Sequence, residues 1–211
     1  MMPGRFIAFE GGEGMGKSTQ ARLLAEFLRG EGRSVELTRE PGGTPGAEAI
    51  RELLLSPPGE GWTLEAEALL FAAARADHVA RKIRPAIEAG DWVICDRFLD
   101  SSRAYQGRAG GMGDDRVRTL HEIGSAGLVP DVTVVIDAPI GDVAARLVNR
   151  DGEESDAIGG RAAEYHASVN AAFLEFARAE PDRFAIVDGR GSVEEVHEKV
   201  LDALSRFLGT P

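Results

Sequence analysis

Five short apolar runs recur along the chain, and each is bounded by polar residues or glycine. Short apolar runs of this kind, flanked by turn residues, are typical of buried β-strands. The predicted strands are 5–10, 34–38, 92–96, 132–137 and 184–188.

The segments between these runs carry apolar residues at helical spacing. Alternating strands and helices predict a mostly parallel sheet with helices on both faces, which is a three-layer α/β fold. We expect the whole chain, 1–211, to form one domain of this kind. The predicted helices are about 17–30, 46–55, 63–89, 115–126, 141–150, 161–180 and 192–208.

The length of 211 residues suits a single domain, and 43 % hydrophobic residues are enough for a sizeable core. No stretch approaches the ~18 consecutive apolar residues of a membrane span, and we expect no signal peptide before the first strand. We therefore expect a cytoplasmic protein without a membrane partner. The net charge of −11 argues against a general nucleic-acid surface. The single cysteine, Cys95, is expected to be a small buried side chain.

The segment from Gly11 to Ser18 fits the phosphate-binding pattern G-x-x-x-x-G-K-[ST] without a mismatch. It follows a predicted strand and precedes a predicted helix, which is the context that the motif requires. Glycines let backbone N–H groups surround a polyphosphate, Lys17 would reach the β- and γ-phosphates, and Ser18 would bind Mg²⁺. The other interpretation is a glycine-rich turn that caps an ordinary helix. The predicted ATP-binding residues are Gly11, Gly12, Gly14, Met15, Gly16, Lys17, Ser18 and Thr19.

Charged residues stand at the carboxyl ends of several predicted strands, where ligands of parallel sheets bind. Asp96 and Arg97 follow the third strand. The carboxylate of Asp96 is suited to orient Mg²⁺, and the guanidinium of Arg97 is suited to clamp a phosphate, although such a pair is often only a salt bridge. The Asn-Lys-x-Asp motif of guanine-specific switches is absent from the sequence.

Four motifs in this order resemble those of the bacterial thymidylate kinase family, within the phosphate-loop nucleoside monophosphate kinases. They are 9–19 around the phosphate loop, Thr38-Arg39-Glu40-Pro41-Gly42-Gly43-Thr44-Pro45, Leu70-Phe71-Ala72-Ala73-Ala74-Arg75, and 96–107 beginning Asp96-Arg97-Phe98. The resemblance spans nearly the whole chain. It implies the P-loop NTPase fold and Mg²⁺-dependent transfer of the γ-phosphoryl group of ATP to dTMP, giving dTDP and ADP.

The resemblance also implies which residues hold dTMP. Phe71 would stack on thymine, Arg75 would hydrogen-bond the edge of the base, and Arg39 and Arg97 would hold the acceptor phosphate. Ser102 and Gln106 would recognise the base, and Tyr105 would pack against the deoxyribose. The implied dTMP-binding residues are Glu10, Arg39, Phe71, Arg75, Arg97, Ser102, Tyr105 and Gln106.

Relatives carry their transition-state arginine either in the phosphate loop or in a mobile lid. Gly14 follows Glu13 here, so this chain resembles the lid type, with a lid expected at about 149–161. Glu13 would position the acceptor, and Arg150 is the first candidate for the cation, with Arg146 and Arg161 behind it. At 156–159 this chain reads Asp-Ala-Ile-Gly, where many relatives read Asp-Arg-Ile-Glu. The implied catalytic residues are Lys17, Arg97, Glu13 and Arg150, and the implied metal ligands are Ser18 and Asp96.

Three other functions stay open at this point: a kinase for a different nucleoside or monophosphate, a nucleotide-dependent switch, and a catalytically weak homologue. The family resemblance also implies a homodimer formed by helices on one side of the sheet. The apolar helical stretch 64–87 is suited to that interface, but it is equally suited to the core of one chain.

Overall fold

The computed structural model describes residues 4–139 and 157–208. Its centre is a five-stranded sheet of β1 (Phe6–Glu10), β2 (Val35–Arg39), β3 (Trp92–Asp96), β4 (Val132–Asp137) and β5 (Phe184–Asp188). All neighbouring strands are parallel, and their order is β2-β3-β1-β4-β5. The predicted parallel sheet is confirmed, and every predicted strand begins and ends within one residue of the observed strand.

Helices cover both faces of the sheet. They are α1 (Lys17–Gly30), α2 (Pro45–Leu55), α3 (Leu64–His78), α4 (Arg84–Ala89), α5 (Leu99–Ser102), α6 (Asp114–Ser125), α7 (Ala163–Ala179) and α8 (Val193–Leu208). A π-helical turn, Val79–Ile83, joins α3 to α4, and a second, Arg103–Ala109, extends α5. The predicted helix 63–89 is therefore one helical stretch with a π-helical turn inside it.

Alternate residues of β1 point to opposite faces of the sheet. Ile7 and Phe9 pack with α1 and α8, whereas Phe6 and Ala8 pack with α3 and α6. A third apolar cluster lies between the second π-helical turn and α7. Cys95 is buried, and its Sγ donates a hydrogen bond to the carbonyl of Arg97, which agrees with the predicted buried role.

The strand register brings the charged carboxyl ends of the strands together. Phe9 lies opposite Asp96 in the β1–β3 pair, and Arg39 lies opposite Asp96 in the β2–β3 pair. Glu10, Arg39 and Asp96 therefore reach one edge of the sheet, from which the phosphate loop leaves β1. The crevice at this edge is where ligands of open parallel sheets bind.

Two predictions fall outside the described residues: the helix 141–150, and the part of the lid at 149–156 that includes Arg150. That 1–211 form one domain with a lid therefore stays a prediction. Within the two described ranges, no helix has both the length and the apolar character that a membrane crossing requires.

Candidate active site

The phosphate loop joins the buried end of β1 to the first turn of α1. Gly11 has φ of 133° and Gly16 has φ of 90°, in a region that residues with a Cβ rarely adopt. At Gly11, an added Cβ would also lie 2.5 Å from the carbonyl oxygen of Ile136. The loop therefore needs glycine for its backbone path, and this path directs the start of α1 into the crevice.

Lys17 is the first residue of α1, and its side chain is buried inside the phosphate loop. Its Nζ donates a hydrogen bond of 2.5 Å to the carbonyl oxygen of Gly12. Burial, with a smaller contribution from the nearby charge of Arg97, lowers the pKa of Lys17 to about 8, although Glu13 and Asp96 act in the opposite direction. Phosphate oxygens in the loop would favour the charged ammonium group, since an opposite charge raises the pKa of a lysine.

Ser18 and Asp96 form the oxygen pair that the sequence predicts as a metal site. The Oγ of Ser18 donates a hydrogen bond to Oδ2 of Asp96. Oδ1 of Asp96 is buried without a hydrogen-bond partner among the described residues. Across the ranges 4–139 and 157–208, three or more Asp, Glu, His or Cys side chains are nowhere grouped to hold a metal. This donor set fits Mg²⁺, which takes one or two protein oxygens and fills its other positions with phosphate and water.

Arg97 occupies the turn directly after β3, with φ of 69°. Its Nη2 donates to Oε1 of Glu13 at 2.5 Å, and its Nη1 donates to Oγ of Ser101 at 3.1 Å. The guanidinium also lies 5.3 Å from the centre of the Tyr105 ring. A left-handed conformation costs a residue with a Cβ free energy, and such strain is concentrated at functional sites. The turn thus aims a cation at the mouth of the phosphate loop.

Glu10 lies beneath this turn and has no exposed surface. Its Oε1 accepts hydrogen bonds from the backbone N–H groups of Phe98 and Ser101, and its Oε2 accepts one from the hydroxyl of Ser101. Burial raises the pKa of Glu10 to about 7, and Asp100 adds to the shift. The geometry therefore places Glu10 behind the predicted acceptor site, where it holds the turn that carries Arg97.

A cavity of about 770 Å³ opens above the carboxyl ends of the strands. It contains the phosphate loop and most of the residues that the sequence predicts for the acceptor. Those that line it are Arg39, Phe71, Arg97, Ser102, Tyr105 and Gln106.

Arg75 lies behind the wall of this cavity and is almost fully buried. Its Nε donates to Oε2 of Glu40 at 2.7 Å, and its Nη2 donates to Oγ of Ser102 at 3.0 Å. The other oxygen of Glu40 is 3.0 Å from Nδ1 of His78, which is itself hydrogen-bonded to Thr38. A buried ion pair with every oxygen engaged has a fixed geometry, so Arg75 is held rigidly beside Ser102.

Two parts of the cavity were not predicted from the sequence. Arg51 on α2 lines it near Arg39, and its Nη1 donates to the carbonyl oxygen of Pro41. The peptide bond between Glu40 and Pro41, which the sequence could not assign, is cis. The second part is the segment after β5, formed by Gly189, Gly191, Ser192, Val193 and Val196.

The segment after β5 lies beside the start of α1, and Nε2 of Gln20 donates to the carbonyl oxygen of Val193. It carries no sequence motif, but it follows the carboxyl end of a strand. This segment could have been predicted from the rule that ligands bind at the carboxyl ends of parallel strands. The cavity thus extends along the phosphate loop away from the acceptor residues, with space for the base of a nucleoside triphosphate.

Of the three arginines predicted for the lid, Arg146 and Arg150 lie outside the described residues. Arg161 is described, and it is engaged elsewhere. Its Nη1 donates to the hydroxyl of Tyr165 at 2.5 Å, and its Nη2 pairs with Oε2 of Glu67. This geometry ties Arg161 to α3 and α7.

Comparison with known proteins agrees with this geometry. The family model described as thymidylate kinase matches residues 9–200. A thymidylate kinase of Rhizorhabdus wittichii is 56 % identical over 98 % of this chain and 100 % of the relative. One of Symbiobacterium thermophilum is 51 % identical over 96 % and 94 %.

A crystal structure of thymidylate kinase from Ehrlichia chaffeensis superposes with a TM-score of 0.79 at 32 % identity, covering 96 % of this chain and all of that one. The similarity in structure and the similarity in sequence therefore both extend over nearly the full length. They confirm the resemblance drawn from the motifs and the P-loop NTPase fold. The chain belongs to the thymidylate kinase family.

Proposed function

We propose that this chain transfers the γ-phosphoryl group of ATP to dTMP, giving dTDP and ADP on the route to dTTP. The observation that carries the proposal is the shared cavity, in which the phosphate loop faces Arg97 and the predicted acceptor residues. A phosphate oxygen of dTMP attacks the γ-phosphorus, and the bond from that phosphorus to the β-phosphate oxygen breaks. Since the acceptor phosphate has a second pKa of about 6, it is largely ionised at neutral pH and needs no strong base.

Catalysis in this proposal rests on positioning and charge. Lys17 and the loop amides hold the donor phosphates, while Arg39 and Arg97 hold the acceptor phosphate and reduce the repulsion between two anions. Glu13 restrains Arg97 through their ion pair. Ser18 and Asp96 would hold Mg²⁺, which supplies charge neutralisation on the β- and γ-phosphates.

The acceptor side of the cavity fits a pyrimidine nucleotide. Phe71 is the aromatic surface for the base, Ser102 and Gln106 offer hydrogen bonds, and Arg75 stands behind Ser102. The hydroxyl of Tyr105 lies 3.4 Å from Oε1 of Glu13, and both residues line the cavity beside the phosphate loop. We propose that this contact disfavours a ribose 2′-hydroxyl.

The proposal is tested by ADP formation from ATP and Mg²⁺ with a panel of acceptors: dTMP, dUMP, UMP, dCMP, AMP, thymidine and none. We expect turnover to be highest with dTMP and to be lost when Mg²⁺ is removed with a chelator. Equal hydrolysis with and without an acceptor would indicate a nucleotide switch. A preference for another acceptor would indicate a different kinase.

Arg150 as the transition-state cation stays a prediction. Arg150 is favoured over Arg161, because the contacts with Glu67 and Tyr165 hold the guanidinium of Arg161 against α3 and α7. We also propose that residues 149–161 form a lid and that the protein is cytoplasmic.

We also propose a homodimer in which α3 and α6 contact the second copy. These helices pack together, and each carries a large exposed apolar side chain: Leu69 is 56 % exposed and Ile123 is 79 % exposed. Light scattering after size exclusion should give twice the chain mass of 22.5 kDa. The double variant Leu69→Glu with Ile123→Glu should give a single chain, because charges would be buried at the interface. A wild-type mass of one chain would contradict the proposal.

A further inference from the structure

Glu67, on α3, is a buried carboxylate with 8 % of its surface exposed, and it lies behind Gln106, which lines the cavity. Its Oε1 accepts a hydrogen bond of 2.8 Å from Nε2 of Gln106, and its Oε2 pairs with Nη2 of Arg161. Both carboxylate oxygens are therefore engaged, one by the amide of a cavity residue and one by a cation.

This contact determines how the amide of Gln106 is oriented. An ionised carboxylate only accepts hydrogen bonds, whereas an amide has one end that donates and one end that accepts. The amide of Gln106 must therefore turn its NH₂ group toward Glu67, and the reverse orientation would place two acceptors against each other. Because Gln106 also lines the cavity, its carbonyl oxygen is the end left for a ligand.

Arg161 holds Glu67 in place beside Gln106. Its charge compensates the buried carboxylate, and its Nη1 donates to the hydroxyl of Tyr165, which donates in turn to the backbone carbonyl of Tyr105. The carboxylate is thus held in a fixed position.

We propose that Glu67 is a specificity-determining positioning residue, which fixes Gln106 so that the acceptor site presents a carbonyl oxygen to position 3 of the base. Thymine and uracil have an N–H donor at this position, whereas cytosine has a nitrogen acceptor. The site therefore favours an imide pyrimidine and opposes cytosine through the repulsion between two acceptors. This inference rests on the proposed role of Gln106 in recognising the base.

The test compares dTMP with 5-methyl-dCMP, which keeps the ring size and the methyl group but reverses the hydrogen-bonding groups at positions 3 and 4. In Glu67→Gln, residue 67 can offer either end of an amide, so Gln106 is free to turn over. We expect the ratio of kcat/KM for dTMP to that for 5-methyl-dCMP to fall by about tenfold. This is the size expected when one hydrogen bond no longer discriminates between the two bases. A merely structural role would lower both values together and leave the ratio unchanged.

Glu65→Gln is the matched control, because Glu65 is an exposed glutamate on the same helix. It should leave both the ratio and the turnover at wild-type values. Gln106→Leu tests separately whether Gln106 recognises the base, on which the orienting role of Glu67 depends. If Gln106→Leu narrows the ratio and Glu67→Gln does not, the orienting role of Glu67 is overturned while base recognition by Gln106 stands. If Gln106→Leu keeps the wild-type ratio, both are overturned, while dTMP turnover in the acceptor panel still stands.

Circular dichroism checks that each variant folds. If Glu67→Gln does not fold, Arg161→Met replaces it, because removing the cation loosens Glu67 without removing the carboxylate. We expect the ratio to narrow in this variant by about threefold, since the contact between Glu67 and Gln106 is weakened rather than lost. An unchanged ratio would then overturn the inference.

Discussion

Lys17→Ala should abolish dTMP-dependent ADP formation, lowering kcat by about a thousandfold or more, which corresponds to about 4 kcal/mol of barrier. The reason is that the ammonium group lies inside the phosphate loop, 2.5 Å from the carbonyl oxygen of Gly12, where charge develops on the transferred phosphoryl group. Alanine removes the charge and leaves the backbone of the loop in place. Coupled detection of ADP at saturating ATP and dTMP measures the effect.

Arg22→Ala is the control for this variant, since it removes a cation from the same helix at an exposed position, where Arg22 pairs with Glu26. It should retain wild-type turnover. A Lys17→Ala enzyme that kept more than a tenth of wild-type kcat would contradict the role of Lys17 in phosphoryl transfer.

Arg97→Gly should lower kcat/KM for dTMP by about 10²–10³, the usual loss for one preorganised donor at a site of developing charge. The loss follows from the position of Arg97, whose guanidinium stands between Glu13 and Tyr105 at the mouth of the phosphate loop. Arg97→Ala should lose the same activity, because both variants lack the guanidinium. Steady-state kinetics with dTMP varied at saturating ATP would measure both.

The two Arg97 variants should differ in stability. Alanine keeps the strain of φ near 69°, whereas glycine adopts this conformation freely. We expect Arg97→Gly to be more stable than Arg97→Ala by about 1 kcal/mol, equivalent to about 2–4 °C in Tm for a chain of this size. Equal melting temperatures would show that the turn relaxes when the guanidinium is removed.

The sheet was predictable because its strands are local apolar runs that end in polar residues. Each run is recognisable without knowledge of the others, and the alternation with helices then implies parallel pairing. The phosphate loop was predictable for a similar reason, since the backbone angles that require glycine at Gly11 and Gly16 are local to the motif.

The helical segment 99–109 was not predicted, and its composition explains why. It contains buried polar side chains, among them Arg103 and Gln106, in place of an apolar stripe. These side chains are buried because Arg103 pairs with Asp100 and Asp114, and because Gln106 pairs with Glu67. Polar pairs of this kind leave no apolar periodicity along the chain, so hydrophobic spacing does not reveal them.

The site residues were likewise predicted by type but not by their contacts. Sequence motifs indicated which side chains belong to the acceptor site, but not that Arg75 and Glu10 lie behind its wall. Their burial depends on partners far along the chain, such as Glu40 for Arg75 and Ser101 for Glu10. For Arg161, which the sequence offered as a lid cation, the decisive partner Glu67 is 94 residues away.

The strand order has a consequence for how the protein is made. β1 is the first strand to be synthesised, but it occupies the centre of the sheet, where its partners are β3 and β4. Its second edge can be closed only after Val132–Asp137 has left the ribosome, and pairing over such separations is slow. At about 5–20 residues per second, the nascent chain waits several seconds with this apolar edge unpaired. A chain that stops before β4 would therefore expose an aggregation-prone strand. Its phosphate loop would also lack the close approach of Gly11 to Ile136 in β4.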